Sequence, residues 1–115
     1  MVKAKDLEAK DLEAKVRELA AQYPEAQYKG VDGGCQYGKG EVVNGPPEQG
    51  CIIGQAIRLL SPETFEQVRP CGSYISEIAQ VTGNKKWLCG VQQRQDGGIK
   101  WSDCVKGADA ELRRD

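Results

Sequence analysis

Gly50-Cys-Ile-Ile-Gly-Gln-Ala-Ile-Arg-Leu-Leu60 is the stretch on which the fold turns. Ile52, Ile53, Ala56, Ile57 and Leu60 recur at helical spacing, which predicts a core helix from Cys51 to Leu60. Ser61-Pro-Glu63 then restarts a short helix. Serine suits the N-cap, proline the first turn, and a carboxylate the positive end of the helix dipole. Phe65 and Val68 form the inward face of that second helix. Everything downstream also reads as helix and everything just upstream does not, so the class is α+β, mostly helical, with a small β-hairpin.

Working outward, residues Lys3 to Tyr23 contain neither glycine nor proline and are rich in Ala, Leu, Glu and Lys, which predicts an N-terminal helix. Asp6 to Lys10, Asp11 to Lys15 and Glu13 to Arg17 are acid-before-base pairs four residues apart that support it. Leu12, Val16, Leu19 and Tyr23 form one apolar seam, a candidate face for helix-mediated association. Lys5-Asp-Leu-Glu-Ala is followed by a second copy from Lys10, and a step of five turns a helix by about 140°, so Leu7 and Leu12 cannot share a face. The first copy is therefore expected to project beyond the core as a solvated extension.

Between Gly30 and Gly50 lie seven of the fourteen glycines, with Pro46 and Pro47, so no helix can run there. Gln27 to Lys29, Cys35 to Tyr37 and Glu41 to Val43 are β-compatible pieces separated by turn signals, which predicts a hairpin or a three-stranded ribbon. On the other side, Ser73 is placed to cap a helix through Ile75, Ile78 and Ala79 that stops at Gly83. Asn84 can cap the next, Lys85 to Asp96, with Trp87, Leu88 and Val91 inward, and a last helix from Trp101 carries Cys104, Val105 and Ala108 inward. The 115 residues make one domain: 1–23 the projecting helix, 24–50 the Gly-rich hairpin region, 51–112 the helical core.

Sixteen basic against seventeen acidic residues give a net charge of −1, so there is no chain-wide field for polyanions or anionic lipid, and any nucleic-acid contact has to be local. The longest apolar stretch is interrupted by Gly54, Gln55 and Arg58 and no signal peptide is legible, so a cytoplasmic chain without a membrane span is expected. In that reducing compartment the five cysteines are expected to be free thiols. Their intervals of 16, 20, 18 and 15 positions lack a Cys-x-x-Cys pair, which argues against structural zinc. Cys51, Cys89 and Cys104 read as small buried hydrophobes, and Cys35 with Cys51 is the pair to suspect if one disulfide forms.

Cys35-Gln-Tyr37, Gly50 through Leu60, and Trp87 through Val91-Gln-Gln-Arg-Gln-Asp96 to Trp101 and Ala108-Asp109 follow one another in an order that resembles short proteins of actinobacteria and their bacteriophages. The resemblance covers most of Val16 to Asp109, with the N-terminal tandem repeat as the departure. It implies a cytoplasmic, phage-encoded protein and interaction with the host, and transfers no activity residue by residue.

Catalysis is disfavoured because the chain has no histidine, which removes Ser-His and Cys-His nucleophile pairs. No cofactor is expected. Gly33 to Glu41 looks superficially like a phosphate-cradling loop, yet Lys39 is followed by Gly40 and not by a hydroxyl residue, so turns account for these glycines. Lys85, Lys86, Arg94 and Lys100 against Asp96 give residues 84–100 a local charge of +3, the best candidate for partner or phosphate contacts. Residues 75–94 have the outline of a degenerate helix-turn-helix, with Asn84 and Gln92 where apolar residues belong, so a helical hairpin in the core competes with it. Trp87 and Trp101 read as core and not as interface anchors. The resulting expectation is a small non-enzymatic accessory protein that binds and modulates a host protein, with homodimerisation open. A DNA-binding regulator working through residues 75–94 and a nucleotide-sequestering anti-defence protein are the alternatives.

Overall fold

Two short β-pairs and five α-helices make up the computed structural model, which describes residues 7–29, 37–70 and 74–113. In chain order they are β1 (Leu7–Glu8), α1 (Ala9–Gln22), β2 (Gln27–Lys29), β3 (Glu41–Val43), α2 (Ile52–Leu60), α3 (Pro62–Val68), a 3-10 turn (Ile75–Glu77), β4 (Val81–Thr82), α4 (Lys86–Asp96) and α5 (Trp101–Arg113). β2 and β3 are antiparallel, with Tyr28 opposite Val42. β1 and β4 pair in parallel, with Leu7 opposite Val81.

Helix α2 is the centre, because Ile52 through Ile57 are all buried. α1, α3 and α4 pack on it, and α4 packs in turn on α5. Cys51 is its N-cap and accepts from the Gly54 N–H through Sγ (3.4 Å). The next cap follows the sequence pattern: Ser61 Oγ accepts from the Thr64 N–H, Pro62 opens α3, and Phe65 and Val68 are buried. The Gly-rich segment does more than turn a hairpin. A Cβ at Gly54 would lie 2.1 Å from the Tyr37 carbonyl oxygen and one at Gly50, whose φ is +110°, 2.3 Å from it, so the chain at Tyr37 crosses directly over the first turn of α2.

Three buried glutamines hold these loops to the helices. Gln55 donates to the Glu48 and Gly50 carbonyls (3.1 and 3.0 Å), Gln92 accepts from the Ile75 N–H (2.8 Å) and donates to the Tyr37 hydroxyl (3.2 Å), and Gln95 accepts from the Ile52 N–H (3.2 Å). Burial of an amide is tolerable only with such partners. Within the Gln-Gln-Arg-Gln motif, Gln92 and Gln95 are thus internal staples, while Gln93 is exposed.

Three sequence expectations are corrected here. The N-terminal helix begins at Ala9, not Lys3; residues 3–6 lie outside the described residues. Of the first pentad copy, Leu7 and Glu8 do not project: the Leu7 N–H donates to the Gln80 carbonyl (2.8 Å), Thr82 Oγ1 donates to the Leu7 carbonyl (3.2 Å), and Ala9 is buried. The five-residue step that keeps Leu7 off the α1 seam is resolved by leaving the helix, since an extended residue can turn Leu7 toward the body of the protein where a helical one cannot. Second, the helix expected through Ile75 to Gly83 is one 3-10 turn followed by β4. Ile75, Ile78 and Val81 are all buried at steps of three, a spacing that a 3-10 turn running into extended chain satisfies. Third, of the suspected strand at Cys35 to Tyr37, residue Tyr37 is in a turn and fully buried, while Cys35 and Gln36, like the suspected capping residue Ser73 and a Cys35–Cys51 bridge, fall outside the described residues.

Candidate functional site

The four basic residues singled out by charge do not form one patch. Lys85 immediately precedes α4 and donates from Nζ to the Ile78 carbonyl (2.8 Å), so it ties the 3-10 region to the helix. Lys86, the first residue of α4, is exposed. Arg94 lies further along α4, where Nη1 donates to the Gly90 carbonyl (2.9 Å) and to Glu111 Oε2 (3.1 Å). Its chain crosses α5 where Gly107 leaves room; a Cβ there would meet Arg94 Nε at 2.3 Å. Lys100 is paired with Glu25 (2.6 Å), and that hydrogen bond raises its pKa above the usual lysine value. Arg94 and Lys100 are therefore already paired within the chain, and the helix-turn-helix reading loses its first helix to a single 3-10 turn.

The association seam is likewise committed. Leu12, Val16 and Leu19 are buried in the core and Tyr23 is half-buried against it, so these residues hold α1 to its own chain and are not free for a second one.

A part-buried contact joins α1, α4 and α5. Arg17 makes a two-pronged pair with Asp109 (3.0 and 2.6 Å) and lies 4.5 Å over the Trp87 ring, whose Nε1 donates to the same carboxylate (2.8 Å). The Asp109 hydrogen bond raises the Arg17 pKa further, so its charge is permanent. Both tryptophans are buried, as their helical spacing predicts.

Among the clefts between the described residues is a groove at the head of α4. A cleft of about 580 Å³ is lined by Ser76, Lys85, Lys86, Cys89, Gln93 and Leu112, among others. A second, of about 330 Å³, runs on past Gly83, Asn84 and Leu112 to Glu8, Lys10 and Glu13 of β1 and α1. The side chains of Lys10, Lys86, Ser76 and Gln93 make no hydrogen bond or ion pair among the described residues. Leu112 is 38% exposed. No family model, curated protein or solved structure matches the chain. The groove has to be understood from its own chemistry.

Of the three described thiols, Cys51 and Cys104 are buried, and burial pushes the Cys104 thiol up to about 12, far from a reactive thiolate. Among the described residues no group of three or more Cys, Asp or Glu is placed to hold a metal ion. Sequence reasoning found Lys85 and Lys86 but missed Ser76, Gln93 and Leu112. Leu112 had a signal: it stands four residues after Ala108, continuing the buried Trp101, Cys104, Ala108 row, inside what otherwise reads as a charged end.

Proposed function

We propose that the protein is a small accessory protein that works by binding another protein, and that the partner seats in the groove between the head of α4 and the last turn of α5. The observation that carries this is the division of polar side chains. Gln55, Gln92, Gln95, Arg17, Arg94, Lys100 and Asp109 are all engaged within the fold, whereas Lys10, Lys86, Ser76 and Gln93 converge on one groove with no structural duty. Polar groups around a partly apolar floor are the usual composition of an interface. The resemblance to bacteriophage proteins supports placing the partner in an actinobacterial host, and the lack of histidine supports binding over catalysis. Among the described residues no helix is long and apolar enough to cross a membrane.

The test is retention from nuclease-treated actinobacterial cytoplasm on immobilised protein, compared with a Lys86→Glu/Leu112→Asp variant. A stoichiometric protein held by the wild type and released by the variant is expected. Retention indifferent to the groove, or of nucleic acid alone in an untreated extract, overturns the reading. Duplex DNA is expected to bind no tighter than about micromolar at physiological salt, because few free cations support only weak non-specific association.

A further inference from the structure

We infer that the segment received by this groove is acidic: a peptide stretch of the partner that carries carboxylates beside an apolar side chain. This rests on the groove being the binding site and goes on to name what it selects. The argument is one of residual charge. Glu111 is compensated by Arg94 (3.1 Å), whereas Glu13 shares Arg17 (3.1 Å) with Asp109 and keeps a net negative charge. Lys10, Lys85 and Lys86 remain against Glu8 and Glu13, a local balance of +1 in a chain whose net charge is −1, with both lysines of the first cleft unopposed once Arg94 holds Glu111. Lys85 is already fixed by the Ile78 carbonyl, so its ammonium is pre-positioned and little freedom is lost when it meets a carboxylate. Leu112 lines both clefts and supplies the apolar contact between the lysines of α4 and Lys10 of α1.

The same walls disfavour a nucleic acid. A phosphodiester chain carries charge at every step and would have to pass Glu8 and Glu13, and none of the groove residues offers an open aromatic face for a base, since Trp87 is buried beneath Arg17. A peptide has discrete charges and can place its carboxylates at the lysines alone.

The experiment is an amide chemical-shift titration of the isotopically labelled full chain at low salt. The probes are a blocked glutamate–leucine hexapeptide, its lysine–leucine counterpart, a mixed-sequence 12-base-pair duplex and inorganic phosphate. Shifts confined to Asn84 to Cys89, Leu112 and Lys10 with the glutamate peptide, weakening as salt is raised, are expected. Lys10→Glu with Lys86→Glu should weaken that peptide by about tenfold and raise affinity for the lysine peptide. Should that pair disturb the fold, Lys86→Ala alone is expected to weaken it by about threefold. The inference is overturned if the lysine peptide or the duplex binds the wild type as well as the glutamate peptide does, if the glutamate peptide shifts residues elsewhere, or if it shifts none at millimolar concentration. Seating of the lysine peptide in the groove would leave the groove standing as a binding site while removing its acidic preference.

Discussion

Replacing Asp109 by alanine should loosen the protein more than any other substitution of a part-exposed residue on α5. Its carboxylate takes the Trp87 indole N–H at 2.8 Å and both terminal nitrogens of Arg17 at 3.0 and 2.6 Å. Trp87 is only 4% exposed, so Asp109→Ala leaves its N–H without an acceptor, and loss of a hydrogen bond to a charged group costs about 1.5–3 kcal/mol. The ion pair adds less. Arg17 and Asp109 side chains are 41% and 25% exposed, and solvent screening limits such a pair to about 1 kcal/mol. Together these give about 2–4 kcal/mol, a fall in Tm of about 10 °C for a domain of this size. Asp109→Asn keeps an acceptor for the indole and should cost about half as much. In the double variant Trp87→Phe/Asp109→Ala the indole N–H is absent, so the combined loss should be smaller than the two single losses added. Urea titration and thermal melting followed by circular dichroism measure all four proteins. A Tm for Asp109→Ala within about 2 °C of wild type, or equal losses for the alanine and asparagine variants, would refute the clamp. Because Glu111 and Leu112 follow within one turn, Asp109→Ala should also weaken whatever binds the groove.

Gly54→Ala puts a carbon against the Tyr37 backbone and should cost more than about 3 kcal/mol or prevent folding, whereas Gly98→Ala, at φ +81° with no atom within 4 Å, should cost about 1 kcal/mol; denaturant midpoints compare them. Removing residues 1–9 should lower stability by about 2 kcal/mol, since it deletes β1 with its two hydrogen bonds and the buried Ala9; an unchanged melting curve would mean the strand pairing contributes nothing. The Cys104 pKa is raised on folding, so the folded protein keeps a proton that the unfolded chain releases above about pH 9. Stability from this site is thus complete below that pH and is lost as pH rises toward 12, at up to about 1.4 kcal/mol per pH unit. Cys104→Ala should flatten the alkaline decline in Tm. In thiol labelling of the native protein under reducing conditions, half-buried Cys89 should react before Cys51 and Cys104.

Local rules sufficed wherever a segment's conformation depended on its own neighbours. The Ser61–Pro62 restart, the run of apolar residues in α2, the inward face of α4 at Trp87, Leu88 and Val91, and the hairpin pairing of Gln27–Lys29 with Glu41–Val43 follow from capping, period and turn chemistry. They needed no knowledge of what lies opposite. The lysines at the head of α4 were visible for the same reason, as a charge cluster within a few residues.

The tertiary structure decided what depends on residues far apart in sequence. Leu7 becomes a strand because Gln80 and Thr82, more than seventy residues on, supply its hydrogen bonds, and Ile75 leaves helix geometry where Gln92 takes its N–H. Arg94 and Lys100 look like free cations until Glu111 and Glu25 are found beside them, and the groove exists only because the Gly83 turn, α4 and the end of α5 meet. The sequence alone determined the class of the fold and elements such as α2, α3 and the β2–β3 hairpin, since hydrogen bonds within a helix or hairpin and the burial of one periodic face are set by near neighbours. Which charges are neutralised, and so which remain to meet a partner, was decided by long-range packing, because a Coulombic partner is identified by its distance in space and leaves no period in the chain.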